Sequence, residues 1–301
     1  MSRLLQACCG TFLVLSFCIP NSFSQVVNPA DKQKSSSSES NSPDQRLPTW
    51  QMPAIDVYGE APLREEDRIG DYAQPRWTAH RRFGETRVYV VPKGMVEFEY
   101  WLIPEKAKNG PTNWASQYEV EFGLPGRVQL DLYAVAHKTG NHDELKMDEQ
   151  KVEVRYAFAD WNKIPLNPTL YLEWKQESNA ADHAEVKLLF GGQISPGLHW
   201  GSNLVWDHET GGAIETSNEW TTGLSYTLAD TKFALGMETQ LALVNDRISP
   251  GVRSPFSKQF LIGPSIQFRP LPQMHLDFAP LFGATKDASQ SKTFVVLGWE
   301  F

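Results

Sequence analysis

Val96-Glu97-Phe98-Glu99-Tyr100-Trp101-Leu102 and Tyr118-Glu119-Val120-Glu121-Phe122-Gly123-Leu124 put an apolar residue at every second position, with carboxylates at most positions between. Side chains of an extended chain point alternately to opposite faces, so both stretches read as strands with one apolar and one charged face. A helix would scatter the same glutamates around its circumference. The period continues downstream. Val128, Leu130 and Leu132 alternate with Gln129, Asp131 and Tyr133, and Val152, Val154, Tyr156 and Phe158 with Lys151, Glu153, Arg155 and Ala157. Leu170, Leu172 and Trp174 begin a series of eight further apolar sets that ends with Val295, Leu297, Trp299 and Phe301. No charge interrupts any of these sets. From about Gly94 to Phe301 the chain reads as twelve strands, an even number suited to an antiparallel up-and-down arrangement.

The connections alternate in length. Pro125-Gly126, the Trp161 to Asn167 segment, Ser195-Pro196-Gly197, Ala229-Asp230 and Pro270-Leu271-Pro272 are tight. Between them fall the polar links Lys106 to Asn113, Lys138 to Asp148, Glu177 to Asp182, Glu209 to Ser217, Asn245 to Ser257 and Thr285 to Ser291. Turns at one end and longer loops at the other match the periplasmic and external ends of a membrane barrel, with both ends of the 94–301 region on the periplasmic side.

Upstream the composition changes. Arg3, an apolar run from Leu4 to Ile19, Pro20, and small Ser22 and Ser24 have the layout of a secretory leader over residues 1–24. Cys8, Cys9 and Cys18 all lie within it, so a chain cut after Ser24 has no thiol, disulfide or thiolate metal site. Residues 25–53 are polar and proline-rich, with Ser35 to Ser38, and read as a disordered periplasmic arm. Residues 54–93 regain short apolar groups around the basic and aromatic run of Arg76, Trp77, His80, Arg81, Arg82, Phe83 and Arg87. This stretch reads as a periplasmic or plug-like segment, expected to seat at the mouth of the barrel through Arg76, Arg81 and Arg82. Residues 94–301 carry 17 basic and 26 acidic groups against 11 and 10 in residues 1–93, so the two regions are complementary. A net charge of -8 also disfavours a nucleic-acid partner.

Alternation alone fits a soluble β-sandwich as well as a membrane barrel. The expected inward face decides for the barrel. Glu97, Glu99, Glu119, Glu121, Asp131, Glu153, Arg155, Glu173 and Lys175 are too many charges for a dry core. The alternating end Val295, Leu297, Trp299 and Phe301 resembles the C-terminal assembly signal of Gram-negative outer-membrane β-barrel proteins, and the resemblance covers about the last two-thirds of the chain. It implies outer-membrane lipid as surroundings and the barrel-assembly machinery as a partner. It names no substrate.

Barrels of this size include pores and lipid-cleaving enzymes. His199 with Ser202 and Asn203 looks like the histidine and serine of outer-membrane phospholipase A, but a separation of three puts the two residues on opposite faces, so no catalytic residue is assigned. His137 and His142 beside Asp143, Glu144, Asp148 and Glu149 lack tight ligand spacing and read as a charged external loop. Gly191-Gly192 at a strand end and Gly211-Gly212 in a loop need only be flexible turns. No metal or cofactor is expected. The leading expectation is a passive channel or binding barrel for small solutes with an acidic, cation-favouring lumen, in which Glu153–Arg155, Glu173–Lys175 and Glu185–Lys187 pair. The alternatives are an outer-membrane lipid-modifying enzyme, or a closed scaffold whose extension binds a periplasmic protein. Deleting Phe301 or changing it to Asp should cause periplasmic accumulation; full recovery of heat-modifiable protein from the outer membrane would refute the assembly-signal reading.

Overall fold

A computed structural model describes residues 64–301 apart from 141, 142, 179 and 231. The leader, the polar arm, residues 54–63, the three cysteines and His142 lie outside the described residues. Twelve long strands follow one another: β1 Val96–Lys106, β2 Thr112–Leu124, β3 Val128–Thr139, β4 Lys146–Ala157, β5 Thr169–Glu177 and β6 His183–Ser195. Then come β7 Leu198–Glu209, β8 Thr216–Ala229, β9 Phe233–Asn245, β10 Ser257–Leu271, β11 Met274–Gly283 and β12 Ser291–Glu300. Each pairs antiparallel with the next. β12 returns to β1 with Val295 opposite Leu102 and Leu297 opposite Tyr100, which closes the sheet. Phe301 adds one more bond, its N–H donating to the Val96 carbonyl at 2.8 Å.

Closure matters because hydrocarbon offers backbone groups no hydrogen bonds, so an open edge would leave a row of them unmet. Nine to fifteen residues per strand are enough to span the apolar layer at a tilt. The distribution of polarity is inverted relative to a soluble protein. Leu132, Val152, Leu172, Leu204, Met237 and Phe278 are exposed outside, while Glu97, Glu99, Glu119, Gln129, Asp131 and Glu153 are almost fully buried within. The same parity carries Trp114, Trp174, Trp206, Phe260 and Phe282 on the outer face near the loop end and Phe98, Tyr156, Tyr226, Phe268 and Trp299 near the turn end. The fold is a transmembrane barrel with an aromatic girdle at each rim.

One turn-end connection departs from the expected length. Residues 158–168 join β4 to β5 and form a folded lobe that carries Trp161. At the other end, 246–256 contains a small ladder between Arg247–Ser249 and Val252–Arg253. Gly191 and Gly192, read from sequence as a turn, lie inside β6. Their correct reading needs the lumen contents.

Residues 64–95 occupy the turn-end half of the lumen. Residues 64–79, with a two-residue ladder (Arg68–Ile69 with Gln74–Pro75) and a single 3-10 turn (Arg76–Thr78), close the turn end. The Glu65 N–H donates to Asp230 at 3.0 Å, the Tyr72 hydroxyl to the Leu124 carbonyl at 2.8 Å, and Arg76 to the Pro272 carbonyl at 3.2 Å. The chain then climbs to an apex at Gly84 and Glu85, whose N–H groups donate to the Glu238 carboxylate midway along β9 at 2.8 and 2.9 Å. It descends through Val88 to Gly94, whose N–H bonds the Gly123 carbonyl at 2.8 Å.

Irregular backbone at membrane depth persists only where protein satisfies it. Here the barrel's side chains do so. Asn203 accepts from Arg87 N–H at 2.8 Å and donates to the Arg87 carbonyl at 2.7 Å, and Gln129 accepts from Val91 N–H at 2.7 Å. Trp77, Phe83, Val88, Tyr89 and Trp161 form a small apolar core, with Trp161 edge-on to both Trp77 and Tyr89. Room for it comes from three inward glycines in register: Gly191 on β6 faces Gly201 on β7, which faces Gly223 on β8. A Cβ at Gly223 would lie 2.4 Å from the Phe83 ring, and one at Gly191 would lie 2.3 Å from Val88.

The two rims should differ in access. Gly126 and Gly212 have positive φ, so single cysteine probes belong instead at exposed Lys163 in the 158–168 connection and exposed Lys286 in the 284–290 loop. Lys286→Cys is expected to react with a membrane-impermeant maleimide on intact cells, and Lys163→Cys only after the outer membrane is breached; the opposite pattern would invert the topology.

Candidate functional site

The inner wall carries a continuous acidic row. Glu121 on β2 faces Asp131, Asp131 faces Glu153, Glu153 faces Glu173, Glu173 faces Glu185, and Glu185 faces Asp207 on β7. Glu97 and Glu99 on β1 face Glu121 and Glu119. Like charges about 5 Å apart repel by about 3 kcal/mol at an effective dielectric near 20. The row therefore needs cations or hydrogen-bond donors at nearly every step.

Part of that demand is met by the wall itself. Arg155 lies 3.0 Å from Asp131 and also bonds Glu153, which receives the Tyr133 hydroxyl as well. Lys187 pairs with Glu185 at 2.9 Å. The pairing of Glu173 with Lys175 expected from sequence is corrected. Glu173 accepts the Tyr171 hydroxyl at 2.6 Å, while Lys175 reaches Asp207 two strands away at 3.1 Å. Residues i and i+2 share a face, but the long lysine stem finds the less crowded carboxylate.

The rest comes from the plug. Arg81 donates to Glu99 through Nε at 3.0 and 2.9 Å and through Nη2 at 2.6 Å, and lies 3.5 Å from Glu119 and 3.7 Å from Glu121. Its guanidinium stacks over Trp101, 3.7 Å from the ring centroid. Arg87 reaches Glu119 at 2.9 Å and Glu121 at 3.7 Å. Among the described residues, Glu119 and Glu121 have ion pairs with no other cation. Arg82 turns away from this group to Thr227 at 2.7 Å, Gln267 at 3.2 Å and His199 Nδ1 at 3.1 Å. Arg76 stays at the rim. The structure thus brings Arg81 together with Glu99, Glu119 and Glu121, deeper in the lumen than a mouth contact, and leaves Glu173 and Lys175 outside the plug's reach.

Two histidines complete the network. His275 on β11 bridges Glu97 at 2.7 Å and Asp277. His80 of the plug has both ring nitrogens unbonded, 4.0 Å from Glu65 and 3.8 Å from Glu300. Burial, and next the nearby Arg269 guanidinium, push its pKa well below the usual 6.5, so it stays neutral at pH 7. Among the described residues, three trios hold ligand atoms close enough for a metal ion: Glu97, Glu99 and His275; Glu99, Glu119 and Glu121; Glu119, Asp131 and Glu153. In the first, His275 is itself one of the three ligands and already bonds Glu97; Arg81 and Arg87 of the plug reach the second, and Arg155 of the wall pairs with Asp131 and Glu153 of the third.

Above the plug, toward the loop end, lies a cavity of about 540 Å³; a void within the plugged half, between Trp77, Arg82 and Arg155, is about 20 Å³. Arg81, Arg87, Glu85 and Trp101 form its floor. Lys151, Lys175 and Lys187 stand with Glu173, Glu185 and Asp207 on one wall, and Ile103, Leu261 and Phe294 on the other. Tyr133 and Tyr171 lie under the lysines, Lys187 4.4 Å from the Tyr171 centroid. Its charges are mixed: the plug's arginines join the inward lysines Lys175 and Lys187 that the strand period already placed beside carboxylates.

His199 faces the lumen, its Nε2 2.8 Å from Glu66. Ser202 faces outward, bonding the Thr221 carbonyl at 3.2 Å and accepting from Trp220 at 2.8 Å. The two do not form a dyad. His137 pairs across β3 and β4 with Asp148 at 2.7 Å.

No protein-family model matches the sequence, and no curated protein matches it. Among solved structures, an outer-membrane channel from Pseudomonas putida F1 is similar over 74% of this chain and 100% of its own, at 9% identity and a TM-score of 0.51. The NanC porin is similar over 68% of this chain and 98% of its own, at 10% identity and a TM-score of 0.50. The fold is that of outer-membrane β-barrels. At these identities the likeness establishes architecture, and the plug's arginines are argued from this chain alone.

Arg155 tests how far the row depends on its counter-charges. Arg155→Met should destabilise the barrel by about 3–5 kcal/mol, because Asp131 and Glu153 lose their shared cation. Exposed Lys163→Met should change stability by no more than about 0.5 kcal/mol. Urea unfolding from lipid vesicles measures both, and equal effects would refute the argument.

Proposed function

We propose that the chain is an outer-membrane channel for small polar solutes, gated by residues 64–95. The observation that carries this is the division of the lumen. A solute-sized cavity opens toward the loop end, and its floor is a segment held by replaceable side-chain contacts rather than by strand pairing. A solute entering from outside would rest on Arg81, Arg87 and Glu85, and would pass only when the apex withdraws. Likeness in fold to a porin and to an outer-membrane channel supports the reading. In the channel with the plug withdrawn, Glu119 and Glu121 would lose both guanidinium partners and Glu99 would keep only His275, and the field in the confined lumen would favour cations.

A sealed lumen also suits a closed scaffold, so the test must separate the two. Gly223→Val pushes a side chain into the space of Phe83 and should dislodge the plug without disturbing strand pairing. In planar bilayers the native chain is expected to be closed or rarely open, and Gly223→Val to conduct with a preference for potassium over chloride. Cysteines replacing Thr86 and Thr221, whose hydroxyls lie 3.1 Å apart, should hold the Gly223→Val channel shut under oxidation and release it on reduction. A folded Gly223→Val barrel that never conducts would overturn the channel in favour of the scaffold.

A further inference from the structure

The plug's Arg81 is bound as a ligand is bound. Its guanidinium lies between a carboxylate and an aromatic face, with three bonds to Glu99 and the Trp101 ring 3.7 Å away. Trp101 in turn donates its indole N–H to Glu99 Oε2 at 3.1 Å, so one wall residue fixes the other. Planar hydrogen-bonding edges and a stacking face are what a guanidinium supplies and a lysine ammonium does not. The box also has unused capacity. Glu121 Oε1 is buried with no hydrogen-bond partner, 3.7 Å from both Arg81 and Arg87. Arg81, Arg87 and Trp101 line the floor of the cavity, and the buried carboxylates lie directly beneath them, so a solute reaches the box where Arg81 yields its place.

We infer that Glu99, Glu119, Glu121 and Trp101 form a receptor for guanidinium-bearing or similarly compact organic cations, occupied in the resting chain by Arg81. A cationic solute reaching the floor competes with Arg81 for the same carboxylates. Once it takes them, the apex keeps Glu238 and Asn203 as anchors but loses its strongest charge pairing on the β1–β2 wall. The solute class and the gate are then one device: the cation that fits the receptor is the one that frees the plug. The inference rests on the gated-channel reading for its consequence, while the receptor stands on its own geometry.

Agmatine is the probe, and glutamate, an anion of similar size, is the control. Calorimetric titration into the full chain carrying Arg81→Gln should show agmatine binding at least tenfold tighter than to the native chain. Adding Glu99→Gln should abolish the gain, and glutamate should bind neither protein. Unchanged agmatine affinity in a folded Arg81→Gln chain, or equal binding of glutamate, would overturn the receptor. A second measurement keeps both arginines. A lone cysteine replacing buried Thr86 should react with maleimide severalfold faster in agmatine than in sodium chloride of equal ionic strength, and an unchanged rate would overturn the competition. The two readings fail separately. Agmatine binding without conductance in Gly223→Val sinks the gate and leaves the receptor, whereas conductance without agmatine binding does the reverse.

Discussion

A buried carboxylate beside another carboxylate has to be neutralised, and this barrel lines up nine of them across strands β1 to β7. From β3 to β7 the wall supplies its own cations and tyrosine hydroxyls. On β1 and β2 it supplies only His275, to Glu97 and Glu99, and the cations for Glu119 and Glu121 arrive from another part of the chain. The plug is therefore an electrostatic component of the barrel as well as an obstruction in it. Removing one member of such a buried set costs about 3–5 kcal/mol, far above the value of an exposed pair. That asymmetry explains why an irregular segment with almost no secondary structure stays inside a lumen lined with polar groups.

The strands were legible because the bilayer and the lumen make opposite demands on adjacent side chains. Leu132 must face lipid and Asp131 cannot, so the period of two survives through every strand, and with it the count and the placing of the turns. The same parity separates His199 from Ser202. The plug's path was not legible. Residues 80–91 have no period because their backbone bonds run to Glu238, Asn203, Gln129 and Gln267, each more than thirty positions away in sequence. A basic run facing an acid-rich barrel announced attraction, but only the fold shows how deep it reaches.

Two finer signals were present and unread. Gly191, Gly201 and Gly223 each take an inward position in consecutive strands, where a barrel facing only water has no need to omit side chains. Three such omissions in register mark a surface shaped for another part of the protein. The exchange of partner at Lys175 left no comparable sign. Its neighbour Glu173 was the natural choice by sequence, and Asp207 became available only once β5, β6 and β7 lay side by side.

The position of the plug also changes what the lumen's charge means. Residues 94–301 are net acidic, and an empty barrel of that composition would draw cations along its whole length. With Arg81 and Arg87 in place the acidic half carries its counter-charges and little free space, and the accessible half presents lysines and carboxylates in close pairs. Long-range attraction toward the resting barrel is correspondingly weak, since paired charges cancel within a Debye length of about 8 Å at physiological salt. Discrimination must then arise at contact, on the floor of the cavity, where a solute meets the plug's guanidinium groups and the carboxylates beneath them. A barrel arranged in this way selects by competition for a built site rather than by the field of an open pore, and its selectivity and its opening are set by the same few residues.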